Sequence, residues 1–127
     1  MRKAQYSALV AFALMLTAGV AWAQQATTFE GTLVDSICYL KGNSLAGNDH
    51  GPMKDCGAMC LKGGTPAGLL TKDKKVQAIL APSVALAPYV GQTVRINGTL
   101  QNGAILASKV EVNKAGKWEE VKLGAMM

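Results

Sequence analysis

Histidine is almost missing from this chain: His50 is the only one. Aromatic residues are sparse, at 6%, and Asp, Glu, Lys and Arg together supply only 17%. These shortages exclude a good deal. A Ser–His–acid or Cys–His catalytic arrangement would have to run through His50, and neither Ser36 nor Ser44 stands in a recognisable nucleophile motif. No run of interleaved basic and aromatic residues offers the stacking platform of a nucleic-acid groove. The one lysine cluster, Lys72, Lys74 and Lys75, is interrupted by Asp73 and reads as a solvated face. A Cys-x-x-Cys-His haem attachment is absent, and Gly63-Gly64-Thr65-Pro66 lacks the Lys-Ser/Thr end of a phosphate loop. Neither an enzyme activity nor a nucleic-acid partner is expected.

Long hydrophobic runs are also missing, except at the start. Arg2 and Lys3 precede an uncharged, mostly apolar stretch from Ala8 to Val20, and Ala21-Trp22-Ala23 then places small residues where a signal peptidase reads them. This pattern predicts a secretory signal peptide over residues 1–23, cleaved after Ala23. The run is shorter than the roughly 20 residues a membrane span needs, and no cysteine near the cleavage site offers a lipid anchor. The expected product is a single domain, residues 24–127, periplasmic or secreted, with no integral membrane segment. It keeps 11 basic against 8 acidic residues, a net charge of +3.

Within that domain, alternation and turn residues predict a mainly β fold. Phe29 to Tyr39 reads as a first strand. Lys41 to Pro52, rich in Gly, Asn and Asp, reads as a loop. Met53 to Leu61 has helical spacing and is stopped by Gly63-Gly64. Gly68–Thr71 and Val76–Leu80 flank a turn at Lys72-Asp73-Lys74. Ala81 to Pro88 reads as a short helix or turn. Gln92–Gln101 alternates with Val94, Ile96 and Leu100 inward, and Asn102-Gly103 is a strong hairpin signal leading into Ala104–Val112. Lys117–Leu123 is a candidate edge strand. This order predicts a small five- to six-stranded OB-like barrel, with a short Cys-bearing helix after the first strand and a short helix between strands three and four; a β-sandwich is the alternative.

Three cysteines, Cys38, Cys56 and Cys60, carry most of the functional content. Three is an odd number, so in an oxidising compartment one sulfur is left over as a reactive thiol or a metal ligand. Cys56 and Cys60 stand four apart, which on a helix puts both sulfurs on one face. Two such thiolates can hold a soft ion, and Cys38 could add a third; thiolates and thioethers suit Cu(I), and thiolates also suit Zn(II). Met53 and Met59 share that helical face at a spacing of three. His50 is a candidate ligand or a solvated loop side chain. Asp35 reads as a backbone-bonding carboxylate or a group that orients a ligand. The structural alternative pairs Cys38 with Cys56 or Cys60. Such a bridge would close a loop of about 20 residues and add roughly 3 kcal/mol in the chain-entropy model.

The segments Gly31-Thr32-Leu33-Val34-Asp35-Ser36-Ile37-Cys38-Tyr39 and Cys56-Gly57-Ala58-Met59-Cys60, with Gly64-Thr65-Pro66-Ala67-Gly68-Leu69-Leu70, resemble a poorly characterised family of small exported bacterial proteins. That family's pattern is Asp-x-x-Cys-Tyr, Cys-x-x-x-Cys and Gly-x-Pro-x-Gly-Leu-Leu. The resemblance covers roughly residues 29–113 and implies export and an OB-like barrel with a Cys-bearing insertion; it implies no activity. The family pattern carries a His three residues before the first Cys of the pair, where this chain has Met53. Two functional expectations follow. One is an envelope protein binding Cu(I) or Zn(II) through Cys38, Cys56, Cys60, His50 and Met53. The other is a non-catalytic module whose cysteines form a stabilising disulfide and which meets an envelope protein partner. Thiol–disulfide exchange is a third option.

Overall fold

The computed structural model describes residues 25–42 and 44–124, so the expected signal peptide lies outside the described residues. Strand β1 covers Thr27–Asp35, where Phe29, Gly31 and Leu33 alternate with polar neighbours before a buried end at Leu33–Asp35. Helices α1 (Ser36–Lys41) and α2 (Cys56–Lys62) follow, then β2 (Ala67–Leu70) and β3 (Val76–Leu80). Helix α3 (Ser83–Leu86) runs into a 3₁₀ turn at Ala87–Tyr89, and β4 (Thr93–Gln101), β5 (Ala104–Lys114) and β6 (Lys117–Glu120) complete the chain.

The fold is mainly β, with six strands in one sheet. β1 pairs antiparallel with β2 on one side and β4 on the other; β2 pairs with β3, and β4 with β5. A parallel pairing of β3 with β5, from Ala78↔Ala104 to Leu80↔Leu106, joins the two ends. The pairings therefore run in a circuit, β1-β2-β3-β5-β4 and back to β1, consistent with the expected barrel-like sheet. The length of β5 permits this: its first residues serve β3, and its last, from Glu111 to Lys114, serve β6. Asn102 and Gly103 both take positive φ, 50° and 79°, as a two-residue turn matched to strand twist requires.

Inward residues of the strands, among them Leu33, Leu69, Ile79, Val94, Ile96, Ile105, Val110 and Val112, form one core. Leu61 of α2 and Leu86 of α3 are buried in the same cluster. Full burial of such a side chain contributes about 1.5–3 kcal/mol, so Leu61 fastens the Cys-bearing helix to the barrel. A Cβ at position 57 would lie 2.6 Å from Val90 Cγ1, so only glycine allows α2 to come this close to the segment after α3.

Three expected boundaries are corrected. The first strand stops at Asp35 rather than continuing to Tyr39, so Cys38 lies on a helix. Helix α2 starts at Cys56 rather than Met53, because Gly51 and Pro52 form a tight turn that pairs His50 with Met53. The last strand ends at Glu120 rather than Leu123, and Leu100, expected inward, is 44% exposed at the end of β4.

Candidate metal centre

Asp35 produces the first element of the site. It is the N-cap of α1 and its Oδ1 accepts from Ile37 N at 2.9 Å and Cys38 N at 3.3 Å. Two of the helix's unpaired amides are thereby satisfied. The strand turns into a helix at this point, and Cys38, three residues on, lies half-buried on that helix. The backbone-bonding role expected for Asp35 is thus its observed role.

The second element is the loop between α1 and α2. Helix α2 starts after Asp55, which has φ 54° and makes no side-chain cap bond. Asn48 takes over the capping from seven residues upstream. Its carbonyl accepts from Gly57 N at 2.9 Å, its Oδ1 accepts from Ala58 N at 2.8 Å, and its Nδ2 donates to Asp55 Oδ1 at 2.8 Å. Asp49 adds a second tie: Oδ1 accepts from Asp55 N at 2.8 Å, and Oδ2 pairs with Lys54 Nζ at 2.9 Å. His50 follows this clamp directly. The backbones of His50 and Met53 exchange two hydrogen bonds, of 2.9 and 3.1 Å, across the Gly51-Pro52 turn. Gly51 has φ 60°, which the first central position of such a turn requires.

Asn48 and Asp49 were not legible as site residues, since Asn and Asp in a polar loop read only as turn formers. Asn48→Ala is expected to cost about 1 kcal/mol, the typical worth of a helix cap. A lower urea midpoint would register this, and an unchanged midpoint would show that the loop does not hold α2.

These elements bring the ligand atoms together. One ligand atom each of Cys38, His50 and Cys56 lies within 4.8 Å of the other two. A second group, Asp35, Cys38 and Cys60, meets the same limit. Cys38 belongs to both groups, whereas Cys56 and Cys60 fall in different ones. Thiolates 2.3 Å from a tetrahedral metal stand roughly 3.8 Å apart, so small side-chain adjustments suffice to close either group on an ion. These cysteine, histidine and aspartate groups lie close enough to hold a metal ion.

The surroundings of the donors fit that use. His50 is 5% exposed, which corrects the reading of a solvated loop side chain. Its Nε2 lies 3.0 Å from the carbonyl of Gly47. A carbonyl can only accept, so Nε2 carries the proton, and in the neutral ring Nδ1 carries the lone pair. A ring nitrogen tied to a backbone carbonyl fixes the tautomer and orientation of a metal-binding histidine. Asp35 is 1% exposed, and its Oδ2 has no hydrogen-bond partner among the described residues. A buried carboxylate oxygen left in this way favours a cation or a proton beside it.

The Cys60 thiol is pushed up to about 12, first by its interaction with the Asp35 carboxylate and then by burial. The Cys38 thiol is also raised, by burial first and by Asp35 second. All three cysteines are free thiols, so the expected bridge from Cys38 to Cys56 or Cys60 is not formed.

No family model, curated protein or solved structure matches this chain. The functional reading therefore rests on the chemistry of the donor set. Of the residues predicted from sequence, Cys38, His50 and Cys56 meet in one group and Cys60 joins through Cys38. Met53 lies just before α2, 58% exposed. It lines an open hollow of about 490 Å³ with Lys54, Cys56, Met59 and Cys60. Among the described residues, no helix is long and apolar enough to cross a membrane.

Proposed function

We propose that this protein binds a soft metal ion, Cu(I) or Zn(II), in the cell envelope. Cys38, His50 and Cys56 are its inner donors; Cys60 and Asp35 flank them, and Met53 stands at the rim. The observation that carries this reading is the convergence of two thiols and a buried, carbonyl-tied imidazole within 4.8 Å. Sulfur and imidazole suit Cu(I) and Zn(II), whereas Mg(II) and Ca(II) prefer oxygen donors. The apolar Ala8–Val20 run followed by Ala21-Trp22-Ala23 supports export, and with it an envelope protein partner that supplies or receives the ion.

One observation also favours a second reading, in which the cysteines stabilise a non-catalytic module. Cys38 Sγ lies within 4.8 Å of both other sulfurs. A two-electron oxidant could close either bridge, with two thiol protons released.

Native mass spectrometry of reduced protein titrated with Cu(I) or Zn(II) separates the two. About one bound ion is expected, with the inner thiols, Cys38 and Cys56, protected from alkylation while it is bound. No adduct with either ion on the reduced protein, together with a mass two hydrogens lower and one alkylated cysteine in protein isolated without reductant, would replace the metal reading with the bridge.

A further inference from the structure

We propose that Met53 and Met59 form an outer thioether site through which Cu(I), and not Zn(II), enters and leaves the Cys38–His50–Cys56 centre. This inference rests on the metal-binding reading above and narrows it to copper. Both methionines are large apolar side chains held in water, at 58% and 66% exposed, so neither serves the core. They line the same open hollow as Cys56 and Cys60. Since Cys56 also belongs to the inner group, this open hollow sets two exposed thioether residues beside a residue of the centre.

Both thioethers are borne on backbone that carries inner donors. Met53 is paired with His50 by two main-chain hydrogen bonds, and Met59 lies three residues after Cys56 on α2. The one charged residue lining the hollow is Lys54, and its ammonium is engaged by Asp49 at 2.9 Å. The rim thus presents neutral, soft donors with a partly offset positive charge beside them.

Thioether sulfur is a fair ligand for Cu(I) and a poor one for Zn(II). An incoming Cu(I) can exchange its carrier's ligand for a thioether, then the thioether for Cys56 sulfur, without passing through a bare ion. Each thiol that becomes a ligand releases its proton to solvent, and copper stays Cu(I) throughout. Zn(II) gains nothing from the rim and must reach the thiolates directly.

The test uses the full exported protein and Met53→Leu/Met59→Leu, a change confined to two exposed side chains. Bound Cu(I) is transferred to bicinchoninate in a stopped-flow experiment, and bound Zn(II) to a chromophoric zinc chelator. The Cu(I) transfer rate is expected to fall about tenfold or more in the double variant, with a smaller change in equilibrium affinity and with zinc transfer unaltered. A wild-type Cu(I) rate in the variant, or zinc slowed to the same degree, would overturn the outer site and leave the metal reading standing. A wild-type protein that takes up no Cu(I) would remove the copper centre itself, and the outer site with it.

Discussion

Cys38→Ser is expected to lower metal affinity by about two orders of magnitude or more, a larger loss than either other cysteine replacement produces. Losing a group behind a ligand already costs 10–100-fold in affinity, and Cys38 is proposed as a ligand itself. It is also the one residue that both donor groups share. A serine hydroxyl in its place is harder and far more weakly acidic, and does not substitute for thiolate toward a soft ion. Cys56→Ser should come next, because it removes the second inner sulfur but leaves Cys38 with Asp35 and Cys60. Cys60→Ser should cost least, since the Cys38–His50–Cys56 group survives. Competition against a chromophoric chelator measures all three. A Cys60 variant weaker than the Cys38 variant would mean that the Asp35 group holds the ion. Affinity should rise with pH in every case, because each thiol surrenders a proton on binding and two of them hold it above the ordinary range.

Asp35→Asn should make Cys60 more reactive while preserving much of the α1 cap. The amide oxygen of Asn can still accept from Ile37 N and Cys38 N, so the helix start survives. The carboxylate, whose direct contact with the thiol is the leading cause of the raised Cys60 pKa and whose charge adds to it, is gone. Relief of part of the shift multiplies the thiolate fraction at neutral pH. The intrinsic nucleophilicity of a less basic thiolate falls by a smaller factor, so the net rise in alkylation rate is on the order of tenfold. Maleimide or iodoacetamide labelling of the reduced, metal-free protein, read per cysteine by mass spectrometry, measures it. An unchanged Cys60 rate would show that burial alone protects the thiol.

The same substitution has a stability signature. In the wild type the folded-state pKa of Cys60 is raised, so the folded protein holds this proton more tightly than the unfolded chain does. Its contribution is fully present below pH 9.0, the ordinary thiol value, and is lost as pH climbs toward about 12. Asp35→Asn should narrow that window. Thermal melts between pH 8 and 11 should therefore fall less steeply in the variant.

Much of the fold could be read locally. In β4, Val94 and Ile96 alternate with polar residues, and Asn102-Gly103 supplies the positive φ of the next turn; both signals act within a few residues. Helix α3 between β3 and β4 was visible in the proline-bounded Ala81–Pro88 stretch. The end of β1 was harder to see. Ile37, Cys38 and Tyr39 continue a strand-like composition, and only the carboxylate of Asp35, closing on the next amides, turns the chain into a helix. A capping residue before a candidate helix was the available signal, but a six-residue helix with no buried residue has no apolar stripe to announce it.

The site was legible as a set of donors and not as an arrangement. His50, three residues upstream of the position where the resembled family carries histidine, looked remote. The Gly51-Pro52 turn folds it back against Met53, so a distance along the chain became a pairing in space. The helical spacing of Cys56 and Cys60 suggested one bidentate pair, yet the two sulfurs fall in different groups that share Cys38.

By itself, the sequence determined the period-two strands, the tight turns between them, and the supply of three thiols, one imidazole and two nearby thioethers. Tertiary structure alone decided which of these donors meet. Three short segments carry them: α1 behind Asp35, the loop tied down by Asn48 and Asp49, and α2 held by Leu61 and by the close contact of Gly57 with Val90. Local propensity extends over a turn or two of chain. A coordination sphere a few ångströms wide is set by how those segments pack on the barrel.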